Sequence, residues 1–394
     1  MSSFFGLNIA RSGLFASQRA LHVTGHNIAN ANTPGFTRQR LNVVSSNPMT
    51  LPGGQGMLGA GVDTQSITQL RDAFLDYKIR QEMTTGGEWS VRAEMLQQIE
   101  AIFNEPSESG IRKVLDDFFN SVQQLSKGED SDDLTVRAEL RQRAIALTKT
   151  INHMYSQLQD MQQNIDFDVR TTVEQINGYA EQIAALNRQI FFAEMDGSHA
   201  NDLRDQRNLL IDRLSELVDI EVQDVPIVGS KDGATTLRIL INGDPLVDHL
   251  DYNQLMLVQR DTKNNYLDGI NLVDVHWVNK KTGQAGAKIR CQSGQLKALL
   301  DMRDNIDGTE KGIPYYMDQL NRFTTVFAAR FNMQHGQGYG LSGAGNHLSF
   351  FNLPPMNYAA YPGMGYEQID PTSLIGTSDS EIIANYEKAN PGKT

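Results

Sequence analysis

The chain has 394 residues, of which 40% are apolar and 21% charged, and its formal net charge is −12. That length suits roughly two or three domains with sizeable cores, and the acidic balance excludes a general affinity for nucleic acid or an anionic membrane, since both need a basic footprint. No apolar run approaches the roughly 18 residues of a membrane-spanning helix, and the N-terminus lacks a basic stretch ahead of an apolar one and carries Arg11 and Arg19 within it, unlike a cleaved secretory signal.

The first predicted element is a helix. Leu7, Ala10, Leu14, Ser17, Leu21, Thr24 and Ile28 recur at alternating steps of three and four, a heptad seam with small or hydroxyl side chains at every second position. Such a stripe buries too little apolar area to hold a lone helix, so it calls for a partner helix. The pattern breaks across Asn27–Phe36, where Asn side chains compete with helical bonds, Pro34 removes a donor and Gly35 permits positive φ. By spacing alone this is a helix stop. Residues 39–68 are short, strand-like and Gly-rich, and read as extended, loop-like connection.

Helical periodicity returns over 70–85, 88–103 and 111–126, with Asn104-Glu105-Pro106-Ser107 before the last of these and Ser109 as its N-cap. The strongest signal follows. Leu147, Ile151, Met154, Leu158, Met161 and Ile165 form one seam, and Ile176, Tyr179, Ile183, Leu186 and Ile190 resume it. Asp168 and Thr172 between them make a four-residue stutter, which relaxes a supercoil locally. A single helix over 134–194 would be roughly 90 Å long; an antiparallel hairpin broken near Asp168 is the alternative. Gly197-Ser198 ends this segment, and Asn201–Arg207 opens another helix with acidic residues in its first turn.

Beyond Leu217 the period changes to two. Strands are expected at 220–222, 237–241, 255–258 and 273–278, with turns at Asp232-Gly233, Asn242-Gly243-Asp244-Pro245 and Thr282-Gly283. Helices return at 294–305 and 313–333, and the Gly-, Asn- and Pro-rich stretch from 336 to 394 shows little periodicity. The fold class is therefore mainly α with an inserted β domain (α+β, multidomain): long coiled-coil-like helices in an elongated rod, plus a small antiparallel β domain.

Catalysis needs converging side chains, and no spacing supplies them. Gly336-Gln337-Gly338-Tyr339-Gly340 lacks the Lys-Ser/Thr of a phosphate loop. His22 and His26 share a helical face without a third ligand, and read as polar surface or helix packing. Asp116-Asp117 and Asp132-Asp133 read as solvated or helix-terminal charge. Cys291 is the single cysteine, which excludes a disulfide framework and a multi-cysteine metal site, and it reads as a buried, inert thiol. The lack of disulfides suits a cytosolic protein and one exported unfolded equally well.

Ser12-Gly13-Leu14, followed by Asn27-Ile28-Ala29-Asn30-Ala31-Asn32-Thr33-Pro34-Gly35-Phe36-Thr37-Arg38, resembles the N-terminal signature shared by flagellar rod, hook and hook-associated proteins. Residues 99–106, 115–120, 183–190, 201–207, 293–304 and 323–335 are similar to the hook-associated members, so the resemblance covers roughly residues 1–350. It implies a non-enzymatic axial subunit at the hook–filament junction, extracellular and exported through the flagellar type III apparatus without a cleaved signal. Its implied partners are copies of itself in a ring, the hook protein, a second junction protein and filament proteins, and an export chaperone; no nucleic acid, membrane, metal or cofactor is expected. The implied domains are an axial helix and turn D0 (1–40), a helical D1 rod (41–219), an inserted β domain D2 (220–290), return helices of D1 (291–350) and a linker-like or truncated tail (351–394). Leu7, Leu14, Leu21 and Ile28 would form the assembly interface, and Asn30, Asn32, Thr33, Pro34 and Gly35 a hinge between inner helix and outer domains. Axial proteins of this kind end in a second amphipathic helix, and none is legible before Thr394. Another rod or hook subunit, a secreted cell-wall hydrolase with a carboxylate pair in the β domain, and a cytosolic chaperone-like coiled coil are the competing readings.

Overall fold

The computed structural model describes residues 4–51, 56–103, 110–127, 133–195, 197–226, 235–265, 267–269, 271–307, 309–338 and 349–352. The architecture is mainly α with small antiparallel sheets. The helices are α1 (Phe4–Ala29), α2 (Ala73–Phe103), α3 (Ile111–Leu125), α4 (Leu134–Ala193), α5 (Asn201–Leu217), α6 (Gln295–Asp304) and α7 (Ile313–Gly336). The chain forms two compact units, and α2, α4 and α6 each contribute residues to both.

The first unit draws on Met1–Ser90, Arg170–Val258 and Val275–Lys297. In it, β1 (Gln39–Ser45) and β4 (Val62–Gln69) form an antiparallel hairpin with a register shift between Asn42 and Val43, and β2 (Met49–Thr50) pairs with β3 (Met57–Leu58) nearer its tip. The stretch expected to be a loop-like connection is thus a β-ribbon. A four-stranded antiparallel sheet follows in the order β5 (Glu221–Pro226), β6 (Thr235–Ile241), β7 (Asp244–Asp248) and β8 (Asp251–Tyr252). Asn242 and Gly243 both have positive φ (48° and 89°), the conformation a two-residue hairpin turn demands, and they join β6 to β7. The expected Asp232-Gly233 turn lies outside the described residues. Strands β9 (Leu255–Gln259), β10 (Val273–Val278) and β11 (Ala285–Lys288) make a three-stranded sheet in the order β11-β10-β9. Two asparagines of α4 fasten this region. Asn177 exchanges two 2.8 Å hydrogen bonds with the backbone of Leu255, donating to its carbonyl and accepting from its N–H. Asn187 donates to the His249 carbonyl at 2.7 Å.

The second unit draws on the described residues of Val91–Val169, Gln259–Asp274 and Ala298–Thr394. Its core includes the buried seam Leu147, Ile151, Met154, Leu158, Met161 and Ile165, with Met95, Ile99, Phe118, Met302 and Met317. Phe118 is fully buried, 5.2 Å from Phe331, 5.9 Å from Phe327 and 6.0 Å from Phe351 between ring centroids. A buried ionic group ties residues 259–274 to the helices. Arg303, fully buried, donates to Asp166 Oδ1 at 2.7 Å, to the Val273 carbonyl at 2.8 Å and to Asp304 Oδ1 at 2.8 Å. Arg260 adds a 2.8 Å bond to Asp274. Removing one partner of such a set leaves an uncompensated charge and costs about 3–5 kcal/mol.

Several expectations change in detail. The helices expected at 70–85 and 88–103 are one helix, α2, running through Gly86-Gly87. A Cβ at Gly87 would lie 2.4 Å from the Glu216 carbonyl oxygen, so this glycine serves a close helix crossing and does not break the helix. The 60-residue α4 is continuous, which removes the hairpin alternative near Asp168. Of the two residues expected at its stutter, Thr172 is buried and Asp168 is exposed, and the adjacent Val169 and Val173 are fully buried or nearly so. Ser109 lies outside the described residues, and Gly110 occupies the N-cap of α3. Cys291 is half-buried, not buried.

Candidate assembly interface

Helix α1 has two different faces. Leu7, Leu14, Leu21 and Ile28 are 63%, 57%, 72% and 71% exposed, and the intervening Ala10, Ser17 and Thr24 are exposed as well. Successive members sit seven residues apart, so the stripe drifts only about 20° per step around an ideal helix. The other face meets the chain's own ribbon. Ala16 and Val23 are buried there, two residues beyond Leu14 and Leu21 and therefore about 200° away. Ser12 Oγ donates to the Ile9 carbonyl at 2.8 Å and accepts from the Val62 N–H at 3.2 Å. Gly61, at φ +109°, brings β4 close: a Cβ built there would lie 2.3 Å from Ser12 Oγ. Arg19 donates to the Thr64 hydroxyl. The ribbon thus supplies α1 with tertiary contacts on one side and leaves its apolar stripe open.

The expected hinge residues form a closed sequence of turns. The Asn30 side chain donates to the His26 carbonyl at 3.1 Å, capping the end of α1. Thr33 donates through its N–H to the Asn30 carbonyl at 3.0 Å and through its hydroxyl to Asn30 Oδ1 at 3.2 Å, and the Phe36 N–H reaches the Thr33 carbonyl at 3.2 Å. Asn32 and Pro34 are exposed on the turn. Gly35 has φ +80°, and a Cβ there would meet Leu209 Cβ at 3.0 Å, so both conformation and contact require glycine. The His26 and Phe36 rings meet edge to face at 5.3 Å.

What holds this turn in place comes from α5. Asn27 pairs with Gln39 like a strand neighbour, donating to its carbonyl and accepting from its N–H, both at 2.8 Å. The Gln39 side chain then donates to Asp202 Oδ1 at 2.8 Å, and His26 Nε2 lies 3.3 Å from the same oxygen. The Thr37 N–H donates to Asp205 Oδ2 at 2.9 Å, while Asp205 Oδ1 is buried with no hydrogen-bond partner among the described residues and faces Arg71 at 4.0 Å. Burial pushes the Asp205 carboxyl above its ordinary pKa, with the Asp202 charge adding to it, against the opposing pull of Thr37 and Arg71. Asn201 completes the attachment: its side chain donates to the Ile67 carbonyl at 2.9 Å and its carbonyl accepts from Gln69 at 2.8 Å. The start of α5 is itself clamped by Glu194, which accepts from Arg204 at 2.7 and 2.6 Å and from the Ala200 N–H at 2.9 Å.

The structure therefore brings Asn30, Thr33 and Gly35 into one packed turn against α5 and leaves Leu7, Leu14, Leu21 and Ile28 exposed, without a packing partner among the described residues. Sequence reasoning missed Asn27, Gln39, Asp202 and Asp205 as anchors. The available signal was the pair of carboxylates at the start of α5, whose N-cap Ala200 makes no side-chain cap. Among the described residues no group of three His, Cys, Asp or Glu side chains is placed to hold a metal ion, and no helix is long and apolar enough to cross a membrane. Asp117 is paired with Lys113 at 2.8 Å.

Comparison with known proteins adds to this geometry. Residues 96–351 match the family described as flagellar hook-associated protein FlgK helical domain, and residues 7–37, which are α1 with its turn, match the flagella basal body rod protein family. The chain is 34% identical over 359 residues to flagellar hook-associated protein 1 of Bacillus subtilis, covering 87% of this chain and 69% of that protein. It is 30% identical over 341 residues to the protein of the same name in Salmonella typhimurium, covering 86% of this chain and 57% of that one. Its fold is similar to the flagellar hook junction protein FlgK of Burkholderia pseudomallei, with a TM-score of 0.55 and 24% identity over 68% of this chain and 45% of that chain.

Proposed function

This chain belongs to the flagellar hook-associated protein 1 family, and from that membership we propose that it is a structural, non-catalytic subunit of the bacterial flagellum that joins hook to filament. The observation that supports this most is the division of labour on α1. One face is fastened to the β1–β4 ribbon, and the turn after it is locked to α5. The opposite face offers four large apolar side chains at heptad spacing. Burying each against a neighbouring helix would contribute roughly 1.5–3 kcal/mol, enough for a set of repeated contacts to hold a subunit in a ring.

In this reading Leu7, Leu14, Leu21 and Ile28 pack against axial helices of neighbouring subunits, and residues 30–35 set the angle at which α1 leaves the body of the protein. Residues 1–40 act as the inner axial segment, 41–219 with 291–350 as the helical portion, and 220–290 as an outer β domain. Partners are further copies of the chain, the hook protein, and the second junction and filament proteins, with an export chaperone before assembly; the location is extracellular, at the hook–filament junction. The match over 96–351 to the hook-associated helical domain favours this over a rod or hook subunit, because the rod-family match is confined to residues 7–37.

Single Leu14→Asp and Leu21→Asp substitutions test it. Both side chains are exposed, so thermal unfolding should change by less than about 0.5 kcal/mol, whereas recovery of the protein in sheared flagella should fall to background. Wild-type recovery of both variants would refute the role given to this stripe.

A further inference from the structure

Helices α3 and α7 lie side by side in the second unit, and among the described residues the furrow between them is filled over one half only. In the filled half Phe118 and Phe119 of α3 meet Phe327 and Phe331 of α7, and Phe350 and Phe351 cover the seam. Between ring centroids, Phe350 sits 4.9 Å from Phe331 and 5.4 Å from His335, while Phe351 sits 5.5 Å from Phe331 and 5.7 Å from Phe327. Asn332 fixes that placement, donating to the Phe351 carbonyl at 2.7 Å and accepting from its N–H at 2.8 Å. The chain thus advances here from the His335 end of α7 toward the start of that helix.

A cavity of about 430 Å³ continues the same furrow over its open half. Its apolar walls are Phe103 at the end of α2, Ile111 and Leu115 of α3, and Tyr316, Leu320 and Phe323 of α7; the exposed Arg112 and Gln319 complete it. Phe323 stacks on Phe327 at 6.0 Å, so the two halves adjoin. Phe323 is 40% exposed, and Phe103, Ile111, Leu115 and Tyr316 are half-buried, so these side chains are open to an occupant. Covering them would remove apolar surface from water, as Phe350 and Phe351 do in the filled half.

We propose that Leu353-Pro354-Pro355-Met356, the residues that follow the described segment 349–352, occupy the open half as a strap across α3 and α7. The order of Phe350 and Phe351 along α7 sends the next residues past Phe323. Residues 349–366 contain no Asp, Glu, Lys or Arg, so the strap brings no charge into an apolar furrow. A residue before proline is held extended and a Pro-Pro pair favours the polyproline II conformation, so this segment loses little entropy on docking. Aromatic-lined grooves receive such segments. The length fits as well: four residues in that conformation span about 12 Å, and α3 rises about 10 Å from Ile111 to Phe118. Residues 104–109, which adjoin Phe103 and Ile111, carry Glu105 and Glu108 and suit the furrow less. The strap is separate from the α1 stripe and does not rest on the assembly reading.

The test compares two engineered disulfides in the purified full chain, equilibrated in a glutathione redox buffer and located by peptide mapping, which also tells them from links made by Cys291. Met356→Cys is combined either with Gln319→Cys, on the wall of the open half, or with Arg330→Cys, within one turn of Phe327 and so nearer the anchor at Phe351. Gln319 and Arg330 are both exposed, so neither change disturbs the core. A docked strap gives the Gln319 pair an effective concentration about tenfold or more above that of the Arg330 pair, and Leu353→Asp removes the preference. A tail that does not dock favours the nearer Arg330 position or neither, which overturns the proposal. A disulfide that forms between chains as protein concentration rises overturns it too, because it seats a second copy in the furrow.

Discussion

At the scale of single residues, the attachment of α1 depends on a few polar side chains whose charge states oppose one another. Glu194 is one kind. Burial works against its ionisation, but the bonds from Arg204 and the Ala200 N–H outweigh it and hold the carboxyl below its ordinary pKa. Its stabilising contribution is therefore complete above the unfolded value of about 4.3 and is lost as pH falls through the lower folded value. Glu194→Gln should cost about 2 kcal/mol at pH 7 by chemical denaturation, and the difference from wild type should shrink below about pH 4. Asp205 is the opposite kind, since its folded pKa is raised by burial. Folding then favours the protonated acid, and the protein loses stability as pH rises from about 3.9 through the folded value. Asp205→Asn keeps an acceptor for the Thr37 N–H and removes the buried charge, so it should be neutral or stabilising by up to about 1 kcal/mol at pH 7. Asp205→Ala loses the acceptor and should cost about 1–2 kcal/mol. If both variants destabilise equally, the charge is not what burial penalises here. None of this was legible in the sequence, because Thr37 and Asp205 are 168 positions apart and no local pattern brings them together.

At the scale of elements, long periodic segments were legible and close contacts were not. The seam from Leu147 to Ile190 announced α4, since a period near 3.5 sustained over many turns has few other uses. The phase at the stutter was only partly legible because Asp168 and Thr172 continue the count as well as Val169 and Val173 do, and only burial shows that Asp168 alone of the four is exposed. The β1–β4 ribbon was obscured by polar residues on both of its faces, such as Asn42, Ser66 and Thr68 on one and Gln39 and Gln69 on the other, which blur the alternation that marks a strand. Gly86-Gly87 illustrates the same limit, since glycine reads as a breaker until its neighbour is known. The two positions make a paired prediction for thermal unfolding. Gly87→Ala drives a Cβ against the Glu216 carbonyl and should cost about 1–3 kcal/mol. Gly86→Ala meets nothing within 4 Å and should gain up to about 1 kcal/mol from helix propensity. Equal effects would mean that α2 and the end of α5 do not approach as closely as described. The candidate interface was half legible: the heptad of Leu7, Leu14, Leu21 and Ile28 marked a stripe, but nothing in it disclosed that Ser12, Ala16 and Val23 belong to a second, occupied face.

At the scale of the whole molecule, membership of the hook-associated protein 1 family makes the chain a structural component of the flagellum. The chain spans 69% and 57% of the two hook-associated relatives described above, so its behaviour in assembly has to be measured on these residues themselves. The body of the first unit contacts one side of α1 through the ribbon and holds its closing turn against α5. In the proposed assembly the apolar stripe is the adhesive surface. The most direct measurement adds the purified chain to hooks isolated from cells lacking the junction protein and images the distal tips by electron microscopy, with the Leu14→Asp, Leu21→Asp double variant in parallel. The account predicts new density at the distal hook end with the wild-type chain and bare tips with the variant. Density of equal occupancy with both proteins would contradict it, as would bare tips with the wild-type chain.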